Sequence, residues 1–330
     1  MTTDTIGFLG LGSMGGPITT RLASWAQRMP GKRILAYDPR PEALAAVVEA
    51  GAQPMRSVAE IAAHCPVVFA CLASPEISEA VALGPDGIAS APGRQVTTYV
   101  EMSTIGSETI RRLAAGLAAR GVTLIDAPIS GGALGARTGE LSVMASGAPG
   151  AVAAVMPALQ VIGKHVFVVG DTAGQSQTMK LANNLLSLAG MVLASEALSL
   201  GAKAGIDTAL MCDIINVSTG RNSSTVTKFP RAVLTGRYDS GSTTQIATKD
   251  MSLALAEFSA LGLSAPMTSL AREMLNIAKN NFGATADMTM IAKLYENWAA
   301  VSLQSPNAPK RVDSTPRRQR QQQEDRLNGQ

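Results

Sequence analysis

The sequence predicts an α/β fold: an N-terminal doubly wound sheet, a long interdomain helix and an all-α C-terminal domain. Three observations predict it. Apolar runs of strand length alternate with helical stretches between residues 6 and 169, the pattern of a parallel sheet covered by helices. From residue 174 to 204 helical periodicity runs without a proline, and strand signals stop there. The 330 residues, 46% hydrophobic and only 16% charged, suffice for two ordinary domains and argue against disorder or coiled coil in the main body.

Strands are expected at 6–9, 33–37, 66–72, 95–101, 123–127, 140–145 and 165–169, where short apolar runs stand between helical stretches. Helices are expected at 17–26, 42–50, 58–63, 107–120 and 149–160, between those strands. The stretch 174–204 reads as one helix of about 30 residues and about 45 Å. That is too long for one compact domain to hold alone, so it bridges two domains or packs against a partner subunit. Shorter helices are expected at 207–217, 225–235, 246–261, 265–280 and 288–303. The implied domains are 1–172, 173–305 and a disordered basic tail at 306–330, where prolines, arginines and glutamines replace apolar residues.

The net charge of +3 lies in that tail, which carries six Lys/Arg against three acids. The rest is neutral on balance, which removes the dense basic face that a nucleic-acid partner needs. Three cysteines, Cys65, Cys71 and Cys212, form no CxxC pair, so neither a zinc site nor a disulfide framework is indicated and a cytoplasmic location fits. The N-terminus lacks a basic signal region, and no stretch reads as a membrane span. The only histidines are His64 and His165, and if neither sits in a site, acid/base work falls to another side chain.

Gly10, Gly12 and Gly15 spell G-x-G-x-x-G between a strand and a helix, the Rossmann context for a dinucleotide. The first glycine permits the turn, the second lets a pyrophosphate approach the backbone, and the third allows close helix packing. Leu11, Ser13 and Met14 complete this phosphate loop, with the helix N-terminus facing the phosphates. Asp38 follows the second strand where a carboxylate can take the adenosine ribose hydroxyls, which favours NAD. Arg40 pulls the other way, since a guanidinium can stack on adenine or pair with the extra phosphate of NADP.

On the long helix Lys180, Asn183, Asn184 and Ser187 share one face at i, i+3, i+4 and i+7. A stripe of one charge with amides, on an otherwise apolar segment, either faces water or lines an internal cleft.

Five blocks, GFLGLGSMGGP (7–17), EMSTI (101–105), DAPISGGALGARTGELSVMASG (126–147), KLANN (180–184) and TKDMSLAL (248–255), make the chain resemble the 3-hydroxyisobutyrate dehydrogenases. These β-hydroxyacid dehydrogenases are related to 6-phosphogluconate dehydrogenase, and the resemblance covers about residues 5–300. It implies reversible hydride transfer between NAD, or NADP, and a small 3-hydroxy acid. It also implies that Lys180 is the general acid/base, that Asn184 holds the substrate, and that Ser130, Gly131 and Gly132 receive its carboxylate. Ser103 and Thr104 match the loop beside the nicotinamide ribose, Leu72 belongs with that cofactor surface, and Lys249 matches a lysine that closes over the cofactor.

Arg221 and Asn222 lie in a polar segment, TGRNSSTVTK, where family members vary the pocket; they are candidates for reading the substrate's far end, and a plain helix–helix loop is the competing reading. A lysine serves as base near neutral pH only if desolvation lowers its pKa, as an apolar helix face in a closed cleft does. Asn183 stands where the 6-phosphogluconate branch has histidine, which disfavours a sugar phosphate. Imine reductases usually replace the lysine, so Lys180 argues for an alcohol or carbonyl substrate. The alternatives are reduction of small aldehydes such as tartronate or succinic semialdehyde, or of imines. A non-catalytic scaffold would lack the lysine or the SGG loop, and both are present. A homodimer or homotetramer is the expected assembly.

Overall fold

A computed structural model of the chain describes residues 4–308. The expected tail therefore lies outside the described residues from 309 onward. In chain order the sheet region runs β1 (Thr5–Leu9), α1 (Gly15–Ala26), β2 (Arg33–Tyr37), α2 (Pro41–Glu49), β3 (Gln53–Pro54), α3 (Val58–His64), β4 (Val67–Ala70) and α4 (Pro75–Leu83). It continues through β5 (Thr98–Glu101), α5 (Ser107–Ala118), β6 (Thr123–Asp126), β7 (Ile129–Ser130), α6 (Gly132–Thr138), β8 (Leu141–Ser146), α7 (Pro149–Ile162) and β9 (Gly163–Gly170). The helical region follows with α8 (Gln175–Lys203), α9 (Thr208–Asn216), a π-helix (Ser224–Val233), α10 (Thr244–Ala260), α11 (Pro266–Phe282) and α12 (Ile291–Ala299).

The strand order is β3-β2-β1-β4-β5-β6-β8-β7, with β9 beside β8. β1 sits between β2 and β4, both parallel to it, so the chain leaves β1 to one side and returns on the other. At such a switch point the loops after neighbouring strands diverge and open a crevice at their carboxyl ends. The sheet is not wholly parallel, as simple strand–helix alternation implies: β8 runs antiparallel to β6 and β7. The short β7 and α6 between β6 and β8 let the chain reverse there.

Each face of the sheet has its own core. Ile6 and Phe8 of β1 pack with Ile18 and Leu22 of α1 and Leu159 of α7, while Leu9 joins Ile61 of α3 and Ile110 and Leu113 of α5 on the other face. The period-two alternation of β1 thus feeds both layers.

By internal contact the chain divides into two units. The first holds residues up to Leu186 together with Lys249–Leu270, and the second holds Ser187–Thr248 with the chain from Ala271 onward. The divisions fall inside α8, α10 and α11. The α8 helix spans 29 residues. Its length and composition also meet the criterion for a bilayer-spanning helix, more than the sequence reading allows it. Leu181, Leu188, Met191 and Leu198 are buried on it, as in a core helix.

Two helical expectations change. The segment expected as an α-helix at 225–235 is π-helical, because Pro230 has no N–H to donate and its ring obstructs a four-residue repeat; Leu234 N–H instead donates to the Phe229 carbonyl five residues back. The single helix expected at 288–303 is a 3-10 turn, Met288–Met290, followed by α12, which stops where Ala300 turns left-handed at φ 51°.

Candidate active site

The glycine turn after β1 is shaped by contact. Gly10 adopts φ +87°, and a Cβ there would stand 2.4 Å from the Cys71 carbonyl oxygen. A Cβ on Gly15 would stand 1.9 Å from the Gly10 carbonyl oxygen, whereas one on Gly12 would meet nothing within 4 Å. Gly10 and Gly15 therefore bring α1 against β1, and Gly12 leaves open space at the helix start, which is the cradle a pyrophosphate needs. Ser13 is exposed and Met14 half-buried in the same turn.

Asp38, at the end of β2, is buried and ties this turn in place. Its Oδ2 accepts from the Leu11 N–H at 2.8 Å, and both oxygens accept from Arg40, through Nε at 2.9 Å, a terminal nitrogen at 3.0 Å and the backbone N–H at 3.0 Å. Burial alone pushes the Asp38 carboxyl up, but these donors outweigh it and hold it below the usual range. The Arg40 side chain stays 56% exposed, so its guanidinium is the accessible group of the pair.

The loop after β5 meets the loop after β4 through Ser103, whose Oγ accepts from the Leu72 N–H at 2.6 Å and donates to Glu101 Oε1 at 2.5 Å. Glu101 is buried, and burial pushes its carboxyl up to about 7 against the pull of the Ser103 hydrogen bonds. Gln177 of α8 pins the same loop: its Oε1 accepts from the Ile105 and Gly106 N–H groups, and its amide donates to the Ser103 carbonyl and to Asp126.

Lys180 follows Gln177 by one turn and is only 7% exposed. Desolvation brings its pKa down to about 8; Asp250 opposes that shift and Lys249 adds to it. No described residue takes a hydrogen bond from its ammonium, which leaves it open to a ligand. Asn184 donates to Asp250 Oδ2 at 2.7 Å, and Lys249 pairs with the other Asp250 oxygen at 2.9 Å while donating to the Thr104 carbonyl. Asn183 donates to Asn184 Oδ1 at 3.3 Å and to Ser130 Oγ at 3.4 Å. Since Ser130 is an acceptor in that bond, its own proton is available to a ligand. Next to it Gly131 and Gly132 are exposed at φ +135° and +65°, so their backbone stands uncovered.

Within the first unit these contacts form one connected path. Gly10 abuts Leu72, Leu72 bonds Ser103, Lys249 joins Thr104 to Asp250, and Asn184 and Asn183 carry the path on to Ser130. An open turn at Gly12, a desolvated lysine and a hydroxyl beside bare backbone are thus assembled on one scaffold.

Residues 5–170 match the NAD binding domain of 6-phosphogluconate dehydrogenase, and residues 174–295 match the NAD-binding region of NADP-dependent 3-hydroxyisobutyrate dehydrogenase. The chain belongs to the 3-hydroxyisobutyrate dehydrogenase family. It is 33% identical to 2-(hydroxymethyl)glutarate dehydrogenase of Eubacterium barkeri over 90% of this chain and 97% of that protein. It is 35% identical to 3-hydroxyisobutyrate dehydrogenase of Pseudomonas aeruginosa over 88% of this chain and 98% of that one. The crystal structure of 3-hydroxyisobutyrate dehydrogenase from Salmonella typhimurium superposes with a TM-score of 0.76 at 30% identity, covering 88% of this chain and 99% of that chain. Cofactor use by this family is of the NAD(P) type, and the cradle at Gly12 fits such a group.

Arg221 stands in the second unit, exposed, in the turn before the π-helix; Asn222 caps that helix by accepting from the Ser224 and Thr225 N–H groups. Asn222 therefore has a structural task that the sequence reading does not assign. Sequence reasoning also passes over Asp250, Gln177 and Asp126. Asp250 and Asp126 had a signal, since each stands in a block singled out for its resemblance. Gln177 had none, because its bond to Asp126 joins positions 51 residues apart.

Proposed function

We propose that the protein is an NAD(P)-dependent β-hydroxyacid dehydrogenase in which Lys180 is the general acid/base toward a small 3-hydroxy acid. The observation that carries this reading is Lys180 itself, a buried ammonium without a hydrogen-bond partner among the described residues, held near pKa 8. At that value both protonation states are populated near neutrality, the condition for efficient proton transfer in either direction.

The cofactor would be held by Gly10, Leu11, Gly12, Ser13, Met14 and Gly15 at its phosphates, by Asp38 and Arg40 at its adenosine end, and by Leu72, Ser103, Thr104 and Lys249 farther along. When bound, it supplies the acceptor or donor of a hydride. Ser130 and the backbone N–H groups of Gly131 and Gly132 receive the substrate carboxylate. Asn184, oriented by Asp250, hydrogen-bonds the reacting hydroxyl, and neutral Lys180 takes its proton as the alcohol is oxidised. In the reverse direction the Lys180 ammonium returns that proton to the carbonyl oxygen, so the same residues also suit reduction of a small aldehyde.

Residues 1–172 are read as the cofactor domain and 173–305 as the substrate and assembly domain. Met179, Leu186, Leu193 and Leu200 are exposed at seven-residue spacing along α8, an apolar stripe that supports association into a homodimer or larger homo-oligomer. The cysteines are unpaired, which supports a cytoplasmic setting.

The test is NAD(P)H formation with a panel of 3-hydroxy acids and each cofactor, on wild type and Lys180→Ala. Turnover should fall by about two to four orders of magnitude in the variant, while cofactor binding measured by fluorescence persists. Undiminished turnover by the variant would remove Lys180 from the chemistry.

A further inference from the structure

Glu101, at the carboxyl end of β5, is fully buried, and the proposed chemistry gives it no task. An acid in that place costs free energy unless donors meet it. Its Oε1 accepts from the Ser103 N–H at 3.0 Å and from the Ser103 hydroxyl at 2.5 Å, and its Oε2 accepts from the Tyr99 hydroxyl at 3.4 Å. The two shorter bonds come from one residue, so this acid is committed to Ser103.

What matters next is what the Ser103 hydroxyl has left. A hydroxyl has one proton and two lone pairs. Glu101 Oε1 already takes a backbone N–H, so it faces Ser103 as an acceptor and holds the hydroxyl proton. One lone pair takes the Leu72 N–H at 2.6 Å. One lone pair remains, and Ser103 can therefore meet a ligand only as an acceptor. The rest of the loop is fixed as firmly, by Gln177 at the Ser103 carbonyl and the Ile105 and Gly106 N–H groups, and by Lys249 at the Thr104 carbonyl. Leu72 in turn lies against the glycine turn, since a Cβ on Gly10 would stand 2.9 Å from its Cδ2. Glu101 thus acts at one remove on the loops after β4 and β5 together.

We infer that Glu101 is a positioning residue for the cofactor: it holds the Ser103 hydroxyl as an acceptor, which selects a hydrogen-bond donor of the nicotinamide nucleoside and turns away a phosphate oxygen. Two groups of that nucleoside are donors, a ribose hydroxyl and the carboxamide nitrogen. The phosphates carry only lone pairs at neutral pH and gain nothing from an acceptor. The inference rests on the dehydrogenase reading for the identity of the ligand.

Calorimetric titration compares wild type, Ser103→Ala, Glu101→Leu, Glu101→Gln and the double variant Glu101→Leu/Ser103→Ala, using NAD, NADP, ADP and 3-acetylpyridine adenine dinucleotide. Kd for the preferred dinucleotide should rise about fivefold in Ser103→Ala, the worth of one neutral hydrogen bond, by as much in Glu101→Leu, and no further in the double variant. Glu101→Gln keeps an acceptor for the hydroxyl and should bind as wild type does. ADP lacks the nicotinamide nucleoside and should bind every variant alike. The acetylpyridine analogue has a methyl in place of the amide nitrogen: a Ser103→Ala loss that vanishes with it supports the carboxamide as the donor, and one that persists supports the ribose hydroxyl. Glu101→Met, of the same length, replaces Glu101→Leu if that variant does not melt cooperatively. An unchanged Kd in Glu101→Leu, additive losses in the double variant, or an equal loss with ADP overturns the inference while leaving the dehydrogenase reading intact. If wild type binds neither NAD nor NADP, the dehydrogenase reading fails, and hydrogen exchange at the Leu72 N–H of the unliganded chain decides the role of Glu101. Faster exchange in Glu101→Leu but not in Glu101→Gln supports its hold on Ser103; exchange as in wild type overturns it.

Discussion

Asn184 donates its side-chain amide to Asp250 at 2.7 Å, one helical turn beyond Lys180. The same carboxylate raises the pKa of Lys180 against the larger effect of burial. One acid thus bears on both the orientation of the amide and the charge of the lysine, and the two effects can be pulled apart.

Asp250→Asn removes the negative charge while keeping a side chain that Asn184 can bond. With Lys180 as the proposed base, oxidation needs it neutral, so kcat/KM should rise with pH up to the lysine pKa, near 8 in the wild type. Without Asp250 the ammonium is less stabilised and its pKa falls. The rising limb should therefore move to lower pH, measured as initial rate of NAD(P)H formation between pH 5 and 10. A limb that moves to higher pH would contradict the electrostatic role of Asp250.

If Asp38 and Arg40 hold the adenosine end of the cofactor, as proposed, their pairing bears on the choice between the two nicotinamide dinucleotides. The carboxylate accepts four hydrogen bonds, three of them from Arg40, which fills its acceptor positions. A ribose hydroxyl must displace Arg40 to reach Asp38, whereas a 2′-phosphate can use the exposed guanidinium directly. Arg40→Ala should lower kcat/KM for NADP by about tenfold or more, the worth of a charge-assisted hydrogen bond, and leave or improve that for NAD. Equal losses with both cofactors would show that Arg40 only braces the turn.

Gly12 borders open space, the proposed cofactor cradle, whereas Gly15 is tightly packed. Gly15→Ala places a methyl 1.9 Å from backbone oxygen, which neither partner can relieve by a rotamer change. Its melting temperature should drop, for an overpacking cost of about 1–3 kcal/mol. Gly12→Ala meets open space and should melt near the wild type while its cofactor Kd rises. Thermal melts together with cofactor titration test the pair; equal melting losses would mean that the turn tolerates neither methyl.

Much of this was legible in the residues. The strand cores, the glycine turn and Asp38 carry local signals, since strand burial and tight turns depend on neighbours in sequence. Ser74 and Pro75 also mark the start of α4, by a serine cap and a proline in the first turn, but the helix is short and easily read as loop. The π-helix was not legible, because Pro230 tells that an α-helix is interrupted and not what replaces it. Gln177, Asp126 and Asp250 act on segments distant along the chain, so their tasks appear only once the sheet brings those segments together. The Lys180 stripe left water and cleft both open, and burial of the lysine decides for the sheltered environment.

Glu101 offers a test by stability. Its folded-state pKa stands near 7, above the ordinary 4.5, with burial as the main cause. Below 4.5 the carboxyl is protonated whether the chain is folded or not. Between 4.5 and 7 the folded chain keeps a proton that the unfolded chain has lost, so raising the pH through this window favours unfolding, and the effect levels off above 7. Asp126, raised to about 6 mainly by burial, acts in the same direction over a lower window that starts at its ordinary 3.8. Glu101→Gln stays neutral and can still accept from the Ser103 N–H and hydroxyl. Its unfolding free energy in urea should therefore fall less than that of the wild type between pH 4.5 and 7, with the curves parallel above that range. Curves that run parallel throughout would mean that Glu101 titrates at its ordinary value, and that the Ser103 bonds fully compensate its burial.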